Sequence, residues 1–282
     1  MRLRHALHIA FRGLRANKSR SALTILGIVI GITAIIVVMS VGAGAEQLIL
    51  DQIRGLGSRT IVIEPGRQPR GPSDFVEVFT DSLKSRDVAA VQSPANVRGL
   101  RHLSPMVALA ATISYGAETK RTNLRGAAEP VAEILNLAVA AGSFFQADDI
   151  RRRASVAVIG SKVKEELFGL ADAVGQKVKI KGRAFRVVGV LQEKGAGIID
   201  VDQMAFVPYT TAQEYLLGIT HYHAILVQAE TEALVPRVAR DIELTLRESH
   251  GITDPDKDDF HVTTQADAMA SIGMARAGTW AE

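Results

Sequence analysis

From Ser21 to Ala45 no position is charged, and the centre of this run reads ALTILGIVIGITAIIVVMSV. About 20 apolar residues rising 1.5 Å each cross the ~30 Å hydrocarbon layer of a bilayer. The run therefore predicts a transmembrane helix over 21–45. Its many Val and Ile residues do not argue for a strand, because in lipid a helix satisfies its own backbone hydrogen bonds. Gly27 and Gly31 stand four residues apart, a spacing that lets another helix approach closely and also arises by chance. Upstream, Leu3, Leu7, Ala10, Phe11 and Leu14 recur at helical spacing, while Arg2, Arg4, Arg12 and Arg15 mostly avoid that stripe. Residues 1–20 thus read as a basic amphipathic helix lying on membrane lipid; an unstructured basic topology signal is the plainer alternative.

Beyond the apolar run the pattern breaks into short elements. Residues 45–54 continue the helix outward as a stalk that ends at Gly55-Leu56-Gly57. TIVIE at 60–64 reads as a strand stopped by Pro65-Gly66, followed by a turn-rich loop over 65–74. A helix capped by Thr80 or Asp81 runs to Val91. Strands are expected at 97–103, 107–115 and 120–125, and a short helix at 131–135. A strand at 155–159 passes into a helix at 161–168 with Ser161 as its N-cap. Residues 178–180 and 185–191 form a hairpin across Lys181-Gly182-Arg183. A strand at 204–207, a helix at 211–217 and an alternating strand at 222–229 come next. The clearest amphipathic helix spans 231–249, with Val235, Val238, Ile242 and Leu246 on one face. A last strand covers 260–263, and the chain turns helical again from Gln265. Helices and strands mix without strict alternation, which predicts an α+β domain over 46–264 with two intertwined subdomains. Residues 265–282 read as the start of a helix leading toward a second membrane span.

Charge is distributed unevenly. Residues 1–20 hold six basic residues and no acid, and the first acidic residue is Glu46. Subtracting those six from 33 leaves 27 basic residues against 30 acidic ones. Nucleic-acid binding wants basic charge on a folded surface with aromatics for stacking; here aromatics are 5% and the basic cluster adjoins an apolar span. Arg12, Arg15, Lys18 and Arg20 precede the span directly, so its C-terminal side is expected outside the cytoplasm. A cleaved signal peptide, with Ala43-Gly44-Ala45 as its site, is the rival reading; its apolar core would be 7–15 residues, shorter than this one. The absence of cysteine removes disulfides, thiolate metal sites and a cysteine nucleophile.

A search for chemistry finds little. The sequence has no Walker A, G-x-S-x-G or H-E-x-x-H motif. Gly42-Ala43-Gly44 and Gly195-Ala196-Gly197 lack the third glycine of a dinucleotide loop. His221 and His223 would share one face of a strand, which offers two metal ligands and no third; a packed or surface pair is the bland reading. Asp254, Asp256 and Asp258 imitate the start of a calcium loop. The glycine such a loop needs at its sixth position is Asp259, and Gln265 stands where its final Glu belongs. Arg151-Arg152-Arg153 would suit anionic headgroups or an adaptor protein, or is a solvated loop. The reading is no enzyme, no cofactor and no metal.

Several stretches, in order along nearly the whole chain, carry a resemblance. RANKSRSALTILGIVIGITAIIVVMSVGAGA resembles the first membrane segment of the MacB-like ABC transporter permeases. LGSRTIVIEPG, AAGSFFQADDIRRRASVAVIGSKVKEELFG, DAVGQKVKIKGRAFRVVGVL and DVDQMAFVPYTTAQEYLLG resemble the blocks that follow in that family. Ser143 stands where the family usually has Arg, and Ala173 where Pro is usual. The resemblance implies a periplasmic core domain that does no chemistry. It implies export by mechanotransmission, driven from the inner membrane by a separate ATPase subunit, with a homodimer and a periplasmic adaptor as further partners. The family has four membrane helices, three of them after the outer domain, and no second apolar span occurs up to Glu282. That pattern reads as the N-terminal part of a permease. The alternative is a single-span anchored sensor, binding or accessory module. Leu7, Phe11, Arg12 and Arg15 are the expected contacts to the ATPase, and Gly27 and Gly31 the expected helix-packing positions.

Overall fold

A computed structural model describes residues 18–54, 58–66, 81–195 and 200–267. It divides into two units, 1–51 and 52–282.

The described part of the first unit is helical. Helix α1 (Lys18–Arg54) is 37 residues long. Its Lys18–Val41 part has a mean hydropathy of 2.8 and none of it is buried. Leu23, Val38 and Met39 are 76%, 71% and 66% exposed, a surface that only lipid or another helix would cover favourably. Within the apolar run Thr24 donates its hydroxyl to the Arg20 carbonyl at 2.9 Å, so the span carries no unpaired hydroxyl at that point. The helix ends at Arg54, where the stalk was expected to end.

The second unit is α+β. Its strands, β1 (Thr60–Pro65), β2 (Leu100–Tyr115), β3 (Glu118–Ala127), β4 (Val139–Gly142), β5 (Val156–Ile159), β6 (Lys177–Ile180), β7 (Arg183–Leu191), β8 (Met204–Pro208), β9 (Ala224–Ala229) and β10 (Phe260–Thr264), form one sheet. The first part of that sheet is antiparallel, β10–β1–β9–β2. The remainder closes on itself: β2 pairs β3, β3 pairs β8, β8 pairs β5, β5 pairs β7, β7 pairs β6, and β6 returns to β2 through Ile113↔Ile180 and Ser114↔Lys179. The sixteen-residue β2 belongs to both parts. These are the two intertwined subdomains, and the ring is inserted between β2 and β9 in the chain.

Side chains alternate across a strand, and the ring uses this to build its interior. Ile113, Leu124, Ala157, Val178, Phe185, Val187, Ala205 and Val207 are all fully buried in one cluster. Helix α5 (Ser161–Phe168) adds Val163, Leu167 and Phe168 to that cluster. A second cluster forms on the outer face of β5 and β8. There Val156, Val158 and Phe206 meet Val131 and Ile134 of α3 (Val131–Ile134), Ile150 of α4 (Ala147–Arg151), and Phe145. On the four-stranded part, α2 (Ser85–Gln92) and α7 (Val235–His250) pack Val91, Val238, Ile242 and Leu246 against Ile61, Ile63 and Val227. The apolar face expected for the last helix is the one that is buried.

Some boundaries differ from the pattern. The two strands expected at 97–103 and 107–115 are one strand, with Pro105 inside it. Pro105 stands where β2 changes partner: β9 pairs 100–106, and the β3 ladder begins only at Met106. The N-cap of α2 is Lys84, not Thr80 (outside the described residues) or Asp81, because Asp87 accepts the Lys84 backbone N–H at 2.8 Å. The N-cap of α5 is Gly160, not Ser161: a Cβ at position 160 would lie 2.3 Å from the Asp202 carbonyl oxygen, so only glycine fits. The expected helix over 211–217 is α6 (Tyr209–Thr211) passing into a π-helix over Ala212–Leu217. A 3-10 turn over Glu232–Leu234 precedes α7, which therefore starts later than expected. β9 starts at Ala224, so His221 and His223 lie before it rather than on a strand. Two elements, β4 and α4, are too short to show in the pattern, at 4 and 5 residues. The hairpin turns follow their residue types: Lys181 and Gly182 both have positive φ, at 48° and 81°, as a two-residue type I′ turn demands.

Candidate functional site

The residues that join the two ends of the second unit form its most concentrated polar site. β1 is the first strand after α1 in the chain, and β10 is the last strand before 265. They lie side by side, antiparallel, with Ile61↔Thr264, Val62↔Thr263 and Pro65↔Phe260 in register. β9 flanks β1 on its other side. A pull on β1 along its axis is thus resisted in shear by ladders on both edges.

Side chains fasten the far end of this pair. His261 on β10 places Nε2 3.1 Å from Glu64 Oε2 and Nδ1 3.1 Å from the Gly66 carbonyl oxygen. Both ring nitrogens face acceptors, so both donate only when the ring is protonated. The Glu64 hydrogen bond accordingly raises the His261 pKa above its ordinary value, against the opposing effect of burial. Gly66 N–H donates to the Asp259 carbonyl at 2.8 Å, and Ser82 Oγ donates to the same oxygen at 2.7 Å.

Asp87 extends the fastening inward. Its side chain is fully buried. Oδ2 accepts the Lys84 backbone N–H, and Oδ1 accepts the Ser249 hydroxyl at 2.6 Å. His250 places Nδ1 2.6 Å from Asp259 Oδ1. Its Nε2 lies 3.2 Å from Asp87 Oδ1, without hydrogen-bond alignment. Phe260 closes over the imidazole edge-on, with ring centroids 5.7 Å apart. Arg247 grips Asp258 through Nε at 3.0 Å and a terminal nitrogen at 2.8 Å. One cluster thereby ties α2, the end of α7 and the start of β10. Sequence spacing gives no sign of it: Asp87 lies 162 positions from Ser249, and polar residues so far apart share no local pattern.

The other candidates have structural partners. His221 Nε2 lies 3.2 Å from Asp81 Oδ1, and His223 Nδ1 accepts the Ala108 N–H at 2.9 Å. Their ring centroids are 5.5 Å apart. Burial lowers the His223 pKa, with His221 and Arg125 adding to the effect. Among the described residues no group of three or more His, Cys, Asp or Glu is placed to hold a metal. Asp254 caps a 3-10 turn by accepting from Asp256 N–H at 3.1 Å, and Asp258 is taken by Arg247, so the acidic segment is a folded turn. Arg151 and Arg152 pair with Asp148 within or beside α4, and Arg153 pairs with Glu214 at 2.6 Å. Leu7, Phe11, Arg12 and Arg15 lie outside the described residues. A Cβ at Gly27 or Gly31 would meet nothing within 4 Å, so that face of α1 is open.

Comparison with known proteins then bears on the whole. Residues 21–244 match the MacB-like periplasmic core domain. The macrolide export ATP-binding/permease protein MacB of Bdellovibrio bacteriovorus is 32% identical over 270 residues, covering 95% of this chain and 40% of that protein. The pyoverdine export ATP-binding/permease protein PvdT of Pseudomonas aeruginosa is 32% identical over 270 residues, covering 94% and 39%. This chain therefore spans about 40% of the length of these relatives. Among solved structures, the periplasmic region of MacB from Actinobacillus actinomycetemcomitans superposes with a TM-score of 0.66 at 22% identity, covering 80% of this chain and 97% of that one. The extracellular domain of the ABC-type transporter YknZ from Gram-positive bacteria gives 0.59 at 20% identity, covering 73% and 100%. Both show the same fold.

Proposed function

The chain belongs to the MacB-like periplasmic core domain family, and from that premise we propose that it is the force-receiving part of an ABC-type export permease. α1 anchors it in the membrane with the basic N-terminus cytoplasmic and residues 46–264 outside. ATP is hydrolysed by a nucleotide-binding module that residues 1–282 do not contain, since no Walker A motif occurs among them. Movement of α1 passes to β1, and the extracytoplasmic unit displaces substrate at the outer face. The observation that carries this reading is the place of β1: the strand that follows the helix is held between β9 and β10. A purely tethered binding module would have no need for that arrangement at its attachment point.

The basic N-terminus supplies the contact to the ATPase. Leu7→Ser with Phe11→Ser should weaken co-purification of the ATPase while membrane insertion persists; unchanged co-purification excludes this contact. A homodimer packed through Gly27 and Gly31, and a periplasmic adaptor, complete the expected assembly. The relatives are named for macrolide and pyoverdine export, and a shared fold does not choose between such substrates.

The test uses a cross-link. The chain has no cysteine, so Val62→Cys with Thr263→Cys introduces a single pair at facing register positions. Facing Cα atoms on antiparallel strands are about 4.5–5.5 Å apart, within disulfide range. If β1 and β10 move as one body, oxidised and reduced protein export equally. Export that fails on oxidation and returns on reduction would mean the strands separate during the cycle, and the reading is wrong.

A further inference from the structure

The ring carries a basic strip on its outside that none of the elements above explains. Cross-strand partners point to the same side of a sheet. Arg125 faces Ala108, Arg121 faces Thr112, and Ser114 faces Lys179 on β6. Lys177 faces Arg186. On β3, β2, β6 and β7 the outward positions are therefore Arg121, Arg125, Lys177, Lys179 and Arg186, with Ala, Thr, Ser, Asn and Val between them and no acid. The inward positions of the same strands include Ile113, Leu124, Val178, Phe185 and Val187, all fully buried.

Three observations distinguish this strip from an ordinary solvated surface. First, among the described residues none of these five cations has a carboxylate within ion-pair distance, whereas Lys120 on the inward side of β3 pairs with Glu166. The nearby acids are Glu118 at the hairpin tip, Asp149, which lines the same shallow depression as Arg186, and Asp81 against His221. Second, Lys177 and Arg186 stand directly opposite each other, and like charges so placed destabilise a sheet. Third, Arg125 is partly buried with no carboxylate paired to it among the described residues, and burial lowers its pKa. Beyond residue 20 the chain has more acid than base, so the strip is a segregation of charge, not a reflection of composition.

We propose that this strip is the docking surface for a protein partner that presents an acidic face outside the membrane. Four strands about 4.8 Å apart and some eight residues of length give a face of about 15 by 27 Å. That is about half the area a standard protein interface buries on each side, so the contact is weak, charge-driven and salt-sensitive. The face is broad and shallow, which suits a macromolecular surface better than a small anion. The strip lacks aromatic side chains at its outward positions, which a single-stranded nucleic acid would use. The inference does not depend on the transport reading.

The test uses the full chain in lipid nanodiscs and a fluorescent peptide of twelve alternating Asp and Glu residues. Anisotropy should show binding that weakens steeply from 50 to 300 mM salt. Arg121→Glu, Lys177→Glu and Lys179→Glu together should weaken it at least tenfold. A control with the same change in net charge elsewhere, Arg98→Glu, Arg240→Glu and Lys257→Glu, should stay within twofold of the parent. Lys177→Glu alone should also raise the thermal midpoint by about 1–3 °C, because it turns a repulsive pair into an attractive one. The proposal is overturned if the control weakens binding as much as the strip variant does. It is equally overturned if the parent does not bind the peptide, or if heparin of matched charge binds the strip more tightly than the peptide.

Discussion

Removing the Asp87 carboxylate is expected to loosen the end of the domain where α2, α7 and β10 meet. In Asp87→Ala the Lys84 N–H and the Ser249 hydroxyl lose their acceptor, and His250 loses one of its two carboxylate neighbours. Hydrogen bonds to a charged group contribute about 1.5–3 kcal/mol each. Leaving a buried donor without its acceptor costs about 1–3 kcal/mol. These terms overlap, so the loss is set at about 3–5 kcal/mol in total. For a domain of this size 1 kcal/mol moves the thermal midpoint by about 2–4 °C, giving a fall of roughly 6–20 °C. Asp87→Asn keeps an acceptor oxygen for one donor and should lose about half as much. The assay is denaturant unfolding of the full chain in nanodiscs, followed by circular dichroism, with Glu118→Ala at the exposed β2–β3 hairpin tip as the control. A loss under 1 kcal/mol for Asp87→Ala would show that the buried carboxylate is not what ties these elements together.

Four further outcomes follow from the geometry. His261 has a raised pKa in the folded state, so its contribution is fully present below the unfolded value of about 6.5 and disappears as pH rises through the folded value. The midpoint difference between the parent and His261→Gln should therefore shrink between pH 6 and pH 8; a difference that grows with pH contradicts the pairing. His223 has a lowered pKa and runs the opposite way: its contribution is present above about 6.5 and is lost as pH falls, which His223→Asn should abolish in the same titration. At the start of α5, Gly160→Ala should cost about 1–3 kcal/mol, because the new Cβ meets backbone oxygens at 2.3 and 2.4 Å. Ser161→Ala should cost nothing in the same unfolding assay, because the buried Ser161 hydroxyl has no hydrogen-bond partner; a loss of ~1 kcal/mol would restore Ser161 as the cap.

How far the sequence reveals this molecule depends on the range of the interactions involved. Local chemistry reads well. The apolar run of α1, the Lys181-Gly182 turn and the buried face of α7 each follow from a few neighbouring residues. Ser161 and Pro105 mislead because local propensity yields there to tertiary packing: a carbonyl of residue 202 crowds position 160, and a change of strand partner accommodates the proline. The ring could not be read from pattern, since it closes through two residue pairs between β2 and β6, more than sixty positions apart. Of the polar site, only β1 and β10 themselves were visible. The Asp87 cluster depends on α2 meeting the end of α7 and the start of β10, 162 positions away at Ser249, and single polar residues carry no periodic signal. His221 and His223 drew notice by spacing, yet each is held by a neighbour, Asp81 for one and the Ala108 backbone for the other.

The central proposal is that α1 delivers force to β1. The most direct measurement inserts eight alternating Gly and Ser residues between Arg54 and Ser58, with the ATPase partner co-expressed, and compares export and ATP hydrolysis with a same-length Ala-Glu-Lys helical insertion. A Gly-Ser linker behaves as a flexible coil, whereas the helical one remains a semi-rigid spacer. Transmission predicts that the flexible insertion abolishes export while hydrolysis continues, and that the helical insertion retains a measurable fraction of it. Equal export with both insertions would contradict the account and leave the domain as a tethered module.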